Sequence, residues 1–143
     1  MNGNFLKLNV NPKNRKTTDC VIRAIVSATG KDWCEVFDAL CSIARKKAYM
    51  PNGKHVYEEY LKQCGFVKVN VSPASGKLRW NVWNLAREVC ADGVVFVANH
   101  AVAINGKGNY IDTWDSGEKK VYALWLKSDF PRRRLVEIEN INK

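Results

Sequence analysis

The stretch Thr17-Thr18-Asp19-Cys20-Val21-Ile22-Arg23-Ala24-Ile25-Val26-Ser27-Ala28-Thr29-Gly30 decides the reading of the fold. It follows a polar loop that begins at Asn11-Pro12, and Thr18 or Asp19 can cap a helix there. The helix runs to about Thr29, with Gly30 as its stop. Val21, Ile22, Ala24, Ile25, Val26 and Ala28 make it apolar around most of its circumference. A helix of that kind is buried, so this one belongs at the centre of the molecule.

Working outward, Phe5-Leu-Lys-Leu-Asn-Val10 alternates apolar and polar residues and predicts a short strand. On the other side, Asp32 and Glu35 resemble a capping box for a second helix to about Lys46, with Trp33, Val36, Phe37, Leu40 and Ile43 at helical spacing. A third helix is expected over 54–64 and ends at Gly65, a strand over 66–71, and a fourth helix over 81–90. From Gly93 the period changes. Val94–Asn99, His100–Asn105, Asn109–Asp115 and Val121–Lys127 read as four successive strands. Helices first and antiparallel strands second is an α+β layout.

At 143 residues the chain has the size of a single domain, 1–143, with one core. The hydrophobic fraction of 46% and charged fraction of 26% are those of an ordered globular protein. No apolar run reaches the roughly 18 residues of a membrane span, and the first residues lack a signal-peptide pattern. A cytoplasmic location is expected. Five cysteines, an odd number without a close pair, argue against a disulfide framework or a zinc site. Cys34, Cys41, Cys64 and Cys90 are expected as reduced core residues, and neither metal nor cofactor is expected.

The net charge of +9 is the unusual bulk property, carried by basic clusters at 13–16, 45–47, 119–120 and 132–134. Such a surface attracts anionic partners, acidic substrates or nucleic acid, and it also keeps a protein soluble. The clusters are scattered and carry no interleaved aromatic motif.

Cys20 differs from the other cysteines by its place in the first turn of the buried helix. Unpaired backbone N–H groups and the positive end of the helix dipole stabilise a thiolate there. A thiolate is the nucleophile of acyl-transfer enzymes, and it needs a proton acceptor. The chain has two histidines. His55 opens a polar helix and reads as a surface residue, whereas His100 begins the apolar strand His-Ala-Val-Ala-Ile.

Asp19-Cys20 before a buried helix resembles the nucleophile helix of papain-like cysteine peptidases, in the Asp-Cys form of bacteriocin-leader peptidases. Asn99-His100-Ala-Val-Ala, a turn, and Asn109-Tyr-Ile are similar to the histidine hairpin of that superfamily. The order Cys, His, acidic or amide residue is also the family order. The likeness covers roughly 11–30 and 93–126, and Asp-Thr-Trp-Asp-Ser-Gly is similar to small papain-like proteins of phages and mobile elements. It implies a papain-like fold, with N-terminal helices, the buried nucleophile helix among them, packed on a C-terminal antiparallel sheet. It also implies an oxyanion donor about six residues before the cysteine, where Asn14 replaces the family's glutamine by a shorter amide.

The residue that orients His100 is argued from the turn. Asn105-Gly-Lys-Gly-Asn109 suits a type I turn closed by a left-handed glycine, which pairs 105 with 109. His100 then lies opposite Trp114, and Asp112 shares its face. A two-residue turn at 105–106 or 107–108 selects Asp115 instead, as does counting along the papain pattern.

The resulting expectation is a cysteine peptidase or related thiol hydrolase with Cys20, His100, Asp112 and Asn14 at its site and a peptide or protein as substrate. Two other classes compete: a papain-fold binding protein engaging a host factor, and a basic nucleic-acid-binding protein. Transferase or deamidase chemistry uses the same residues.

Overall fold

In the computed structural model, residues 3–73 and 75–141 are described. One mixed six-stranded sheet organises them, in the order β1-β5-β4-β3-β6-β2. The strands are β1 (Phe5–Lys7), β2 (Phe66–Val69), β3 (Gly93–Val97), β4 (His100–Ile104), β5 (Tyr110–Asp112) and β6 (Ala123–Lys127). The helices among the described residues are α1 (Cys20–Thr29), α2 (Trp33–Lys47), α3 (Lys54–Gln63), α4 (Val82–Val89) and α5 (Arg132–Ile141).

The apolar pattern explains the layering. Val94, Phe96, Ala101, Ala103 and Trp125 face α1, α2 and α3 in one cluster. Val95, Val102, Ile104, Leu124 and Leu126 face α4 and Ile138 of α5 in the other. Strands covered on both faces carry continuous apolar runs, and β3 is buried at all its positions. Small residues let the central layers approach closely. Ala24 and Ala28 of α1 and Ala101 and Ala103 of β4 join the same cluster, with Ile25 at 0% exposure between the layers.

Local signals place the helix ends. Gly30 closes α1 in the left-handed region at φ 75°, its N–H donating to the Val26 carbonyl. The Asp32 carboxylate accepts from the Cys34 and Glu35 N–H groups and caps α2. Asp19 stands at the N-cap of α1, but its side chain makes no capping bond.

The turn after β4 has the expected register. Ala103 pairs with Ile111 and Ile104 with Tyr110, Asn105 N–H donates to the Asn109 carbonyl at 3.0 Å, and Gly108 takes φ 79°. His100 and Trp114 face each other with ring centroids 4.9 Å apart.

Four expectations are corrected. The sheet is mixed rather than antiparallel, because β1 lies parallel to β5 on its free edge. Helices do not all precede the strands: α5 follows β6 in the segment read only as a basic cluster, and together with the expected α4 it covers the second face of the sheet. Of the cysteines expected in the core, all four are free thiols, but Cys34 and Cys90 are exposed and Cys41 is half-buried rather than in the core, while Cys64, also half-buried, packs against the first cluster. Cys34 lies in the solvent-facing first turn of α2, and Cys90 is the left-handed C-cap of α4. Phe37 is exposed too, its ring stacked on Trp33 at 5.2 Å. No helix of the described residues is long and apolar enough to cross a membrane.

Candidate active site

Three elements converge at one end of the sheet. α1 presents Cys20 at its first position, β4 presents His100 at its first position, and β5 presents Asp112 at its last. A tight turn through Asn99, at φ 56°, sets the start of β4.

His100 Nε2 lies 2.5 Å from Asp112 Oδ2, and the imidazole and the Cys20 thiol line the same cleft and influence each other's ionisation. With Nε2 committed to Asp112, Nδ1 is the nitrogen left for Cys20. Asp112 is buried, and its four acceptor positions are filled. Oδ1 accepts from Arg23 Nη1 at 3.1 Å and Thr113 N–H at 2.7 Å, and Oδ2 faces His100 and the Ser116 hydroxyl at 3.1 Å.

Electrostatics follow from this arrangement. Burial opposes ionisation of the Cys20 thiol. Interactions with His100 and the Ala101 backbone and the charges of His100 and Arg23 outweigh it, so the thiol falls below its ordinary value. Burial likewise opposes charge on His100, but Asp112 and Cys20 overcome it and raise the imidazole from 6.5 to about 9. Asp112 is held below the usual carboxylate range: burial acts against this, and His100, Thr113 N–H and Ser116 prevail. The lowered thiol and the raised imidazole both favour the thiolate–imidazolium form of the pair.

Behind this row lies a second layer. Arg23 Nε donates to Asp19 Oδ1 at 2.8 Å while its Nη1 reaches Asp112. The other Asp19 oxygen accepts from Asn11 Nδ2 at 3.1 Å and Trp33 Nε1 at 3.0 Å. One guanidinium thus bridges two buried carboxylates, one beside Cys20 and one behind His100. Sequence reasoning missed Arg23 and gave Asp19 only a capping role. The available signal was a lone cation on an otherwise apolar helix, one turn after Cys20.

Asp115 is engaged elsewhere, accepting from the Tyr110 hydroxyl at 2.6 Å and the Gly117 N–H at 3.0 Å. His55 is exposed and stacked on Tyr49. Asn14 is not brought to the site. It sits exposed in a left-handed turn at φ 52°, and it does not line the cleft. Asn11 causes this: its Oδ1 accepts from the Lys13 and Arg15 N–H groups and curls the loop outward before position 17.

The cleft holds about 660 Å³, with Cys20, His100, Tyr57, Phe96, Asn52 and Trp114 in its walls. The Cys20 N–H, in the first helical turn, has no helical acceptor, and the side chains of Thr17, Thr18 and Asn52 add hydrogen-bonding groups beside it. No group of side chains among the described residues could hold a metal ion. Comparison with family models, curated proteins and solved structures finds no match to this chain.

Proposed function

We propose that the protein is a thiol hydrolase of peptide or other amide bonds, papain-like in its site, with Cys20 as nucleophile, His100 as acid and base, and Asp112 as the group that orients the imidazole. The observation that carries this reading is that Cys20, at the N-terminus of α1, and His100, held by Asp112 at 2.5 Å, share the wall of one cleft. His100 and Arg23 both act to lower the thiol there.

In this mechanism the Cys20 thiolate attacks the substrate carbonyl carbon, and the C=O electrons move to oxygen. The Cys20 N–H, with a donor from the cleft wall, stabilises the oxyanion. The tetrahedral species collapses to a thioester as His100 Nδ1–H protonates the departing amine. Water then attacks the thioester while His100 accepts its proton. The carboxylic acid leaves, and Cys20 returns to the thiolate. Asp112 keeps Nε2–H engaged throughout, which holds Nδ1 toward the sulfur.

The decisive experiment is reaction with a peptidyl electrophile that modifies only activated thiols. Covalent capture of Cys20, abolished in His100→Ala, is expected. An unmodified Cys20 in the folded protein overturns the hydrolase reading and leaves that of a papain-fold binding protein.

A further inference from the structure

The cleft does not end at Cys20. Through Thr17, Thr18, Arg23 and Trp114 it continues into a cavity of about 480 Å³ walled by Arg15 and Lys16. Through Thr18, Val21 and Asn52 it also opens into a smaller cavity of about 200 Å³ walled by Ile22, Phe37, Leu40, Met50 and Pro51. Thr18 and Asp19 border both side cavities, so the result is one trough that joins the Cys20 cleft to a basic region and an apolar region.

Charge along this trough is one-sided. Asp19 is the acidic residue in its walls among the described residues, and Arg23, Asn11 and Trp33 already satisfy it. Arg15, Lys16 and Lys54 are exposed, line the trough, and make no ion pair among the described residues. Unpaired cations in a concave wall focus the field and favour an anionic occupant.

We infer that the trough takes an acidic peptide segment, with carboxylates against Arg15, Lys16 and Lys54 and one apolar side chain between α1, α2 and the 50–52 loop. This rests on the thiol-hydrolase reading and specifies its substrate class. A nucleic acid fits the charge but not the rest. It has no side chain for the apolar region, where Phe37 and Met50 stand exposed, and its backbone offers no amide carbonyl to the thiolate.

The test compares alkylation of Cys20 by iodoacetate, an anion, and by iodoacetamide, its neutral analogue, in the full chain, read by mass spectrometry. The iodoacetate-to-iodoacetamide rate ratio is expected to fall roughly fivefold in the triple variant Arg15→Gln, Lys16→Gln, Lys54→Gln, and with added salt. It should hold in Lys119→Gln, Arg132→Gln, Arg133→Gln, where the charges removed lie away from the trough. A ratio unchanged in the first variant, or lowered equally in both, overturns the inference. The absolute iodoacetamide rate at Cys20 separately reports on the thiolate. A second arm measures protection of Cys20 from iodoacetamide. A Glu-rich peptide with a central Leu should protect about tenfold better than the same peptide with Gln for Glu or Ala for Leu. Equal protection by single-stranded oligo-dT of matched charge assigns the trough to nucleic acid and overturns the peptide assignment.

Discussion

Arg23 and His100 share one carboxylate: Arg23 Nη1 takes Oδ1 of Asp112 at 3.1 Å and His100 Nε2 takes Oδ2 at 2.5 Å. The guanidinium therefore fixes the plane of the group that fixes the imidazole. Arg23 is 11% exposed and its two partners 4% and 1%, so solvent cannot replace it. Arg23→Gln leaves two buried carboxylates short of their cation and should lower stability by about 3–5 kcal/mol. Arg23→Lys keeps the charge but loses the fork that spans both acids, and should fall between the two. Urea unfolding monitored by circular dichroism checks the order.

The two aspartates separate by function. Asp112→Asn keeps the shape but can present an amide N–H to Nε2, which favours the wrong tautomer, and turnover should fall by up to about 10⁴-fold. Asp115→Asn retains an acceptor for the Tyr110 hydroxyl and the Gly117 N–H and should change turnover little. Rates on a peptide substrate, compared after both variants are shown to be folded, decide this.

Thiol reactivity should be visible without a substrate. Near pH 6.5, iodoacetamide should modify Cys20 faster than Cys34 or Cys90, although those two are more exposed. In His100→Ala the Cys20 rate should drop to that of an ordinary thiol, because the main cause of its lowered pKa is gone. Mass-spectrometric time courses for all five sites test both statements.

Acid and alkali should both be harmful, through different groups. Reactivity of Cys20 should fall as pH drops through its lowered value and the thiolate takes a proton. On the other limb, general-acid function should fade as pH rises through about 9, where His100 loses its proton. Stability follows the same groups. The raised pKa of His100 contributes stability that is fully present below 6.5 and lost as pH rises through about 9. Asp112, held below its ordinary value of 3.8, contributes above that value and loses its contribution as pH falls through the depressed one. A pH series of urea midpoints for wild type and His100→Ala should show the alkaline contribution vanish in the variant.

Gly108 sits at φ 79°, where a side chain is strained, and it closes the turn that sets the β4–β5 register. Gly108→Ala should cost about 1–2 kcal/mol and slow turnover beyond what its loss of stability explains. Urea midpoints and peptide turnover measured on the same preparation check both parts.

Much of this was legible in the chain. The α1 boundaries follow from a capping position, an apolar circumference and a terminal glycine, all local signals. The register that brings Asp112 to His100 follows from five turn residues and a two-residue period. What sequence did not yield depends on distant partners. Arg23 reads as a stray charge until Asp112 arrives beside it from β5. The papain-like resemblance implied Asn14 at the site, but Asn11 hydrogen-bonds the loop into a turn that carries it away. The parallel placement of β1 and the helix of 132–141 likewise depend on a sheet edge and a sheet face that no local pattern announces.

Cys20 rides on a helix near the start of the chain, while His100 and Asp112 arrive together on one hairpin far downstream. The proposed site therefore needs both halves: a chain still emerging from the ribosome lacks the groups that lower the Cys20 thiol until β4 and β5 have been made and α1 has docked on the alanine face of β4. On the proposed reading, activation of Cys20 would report completed folding.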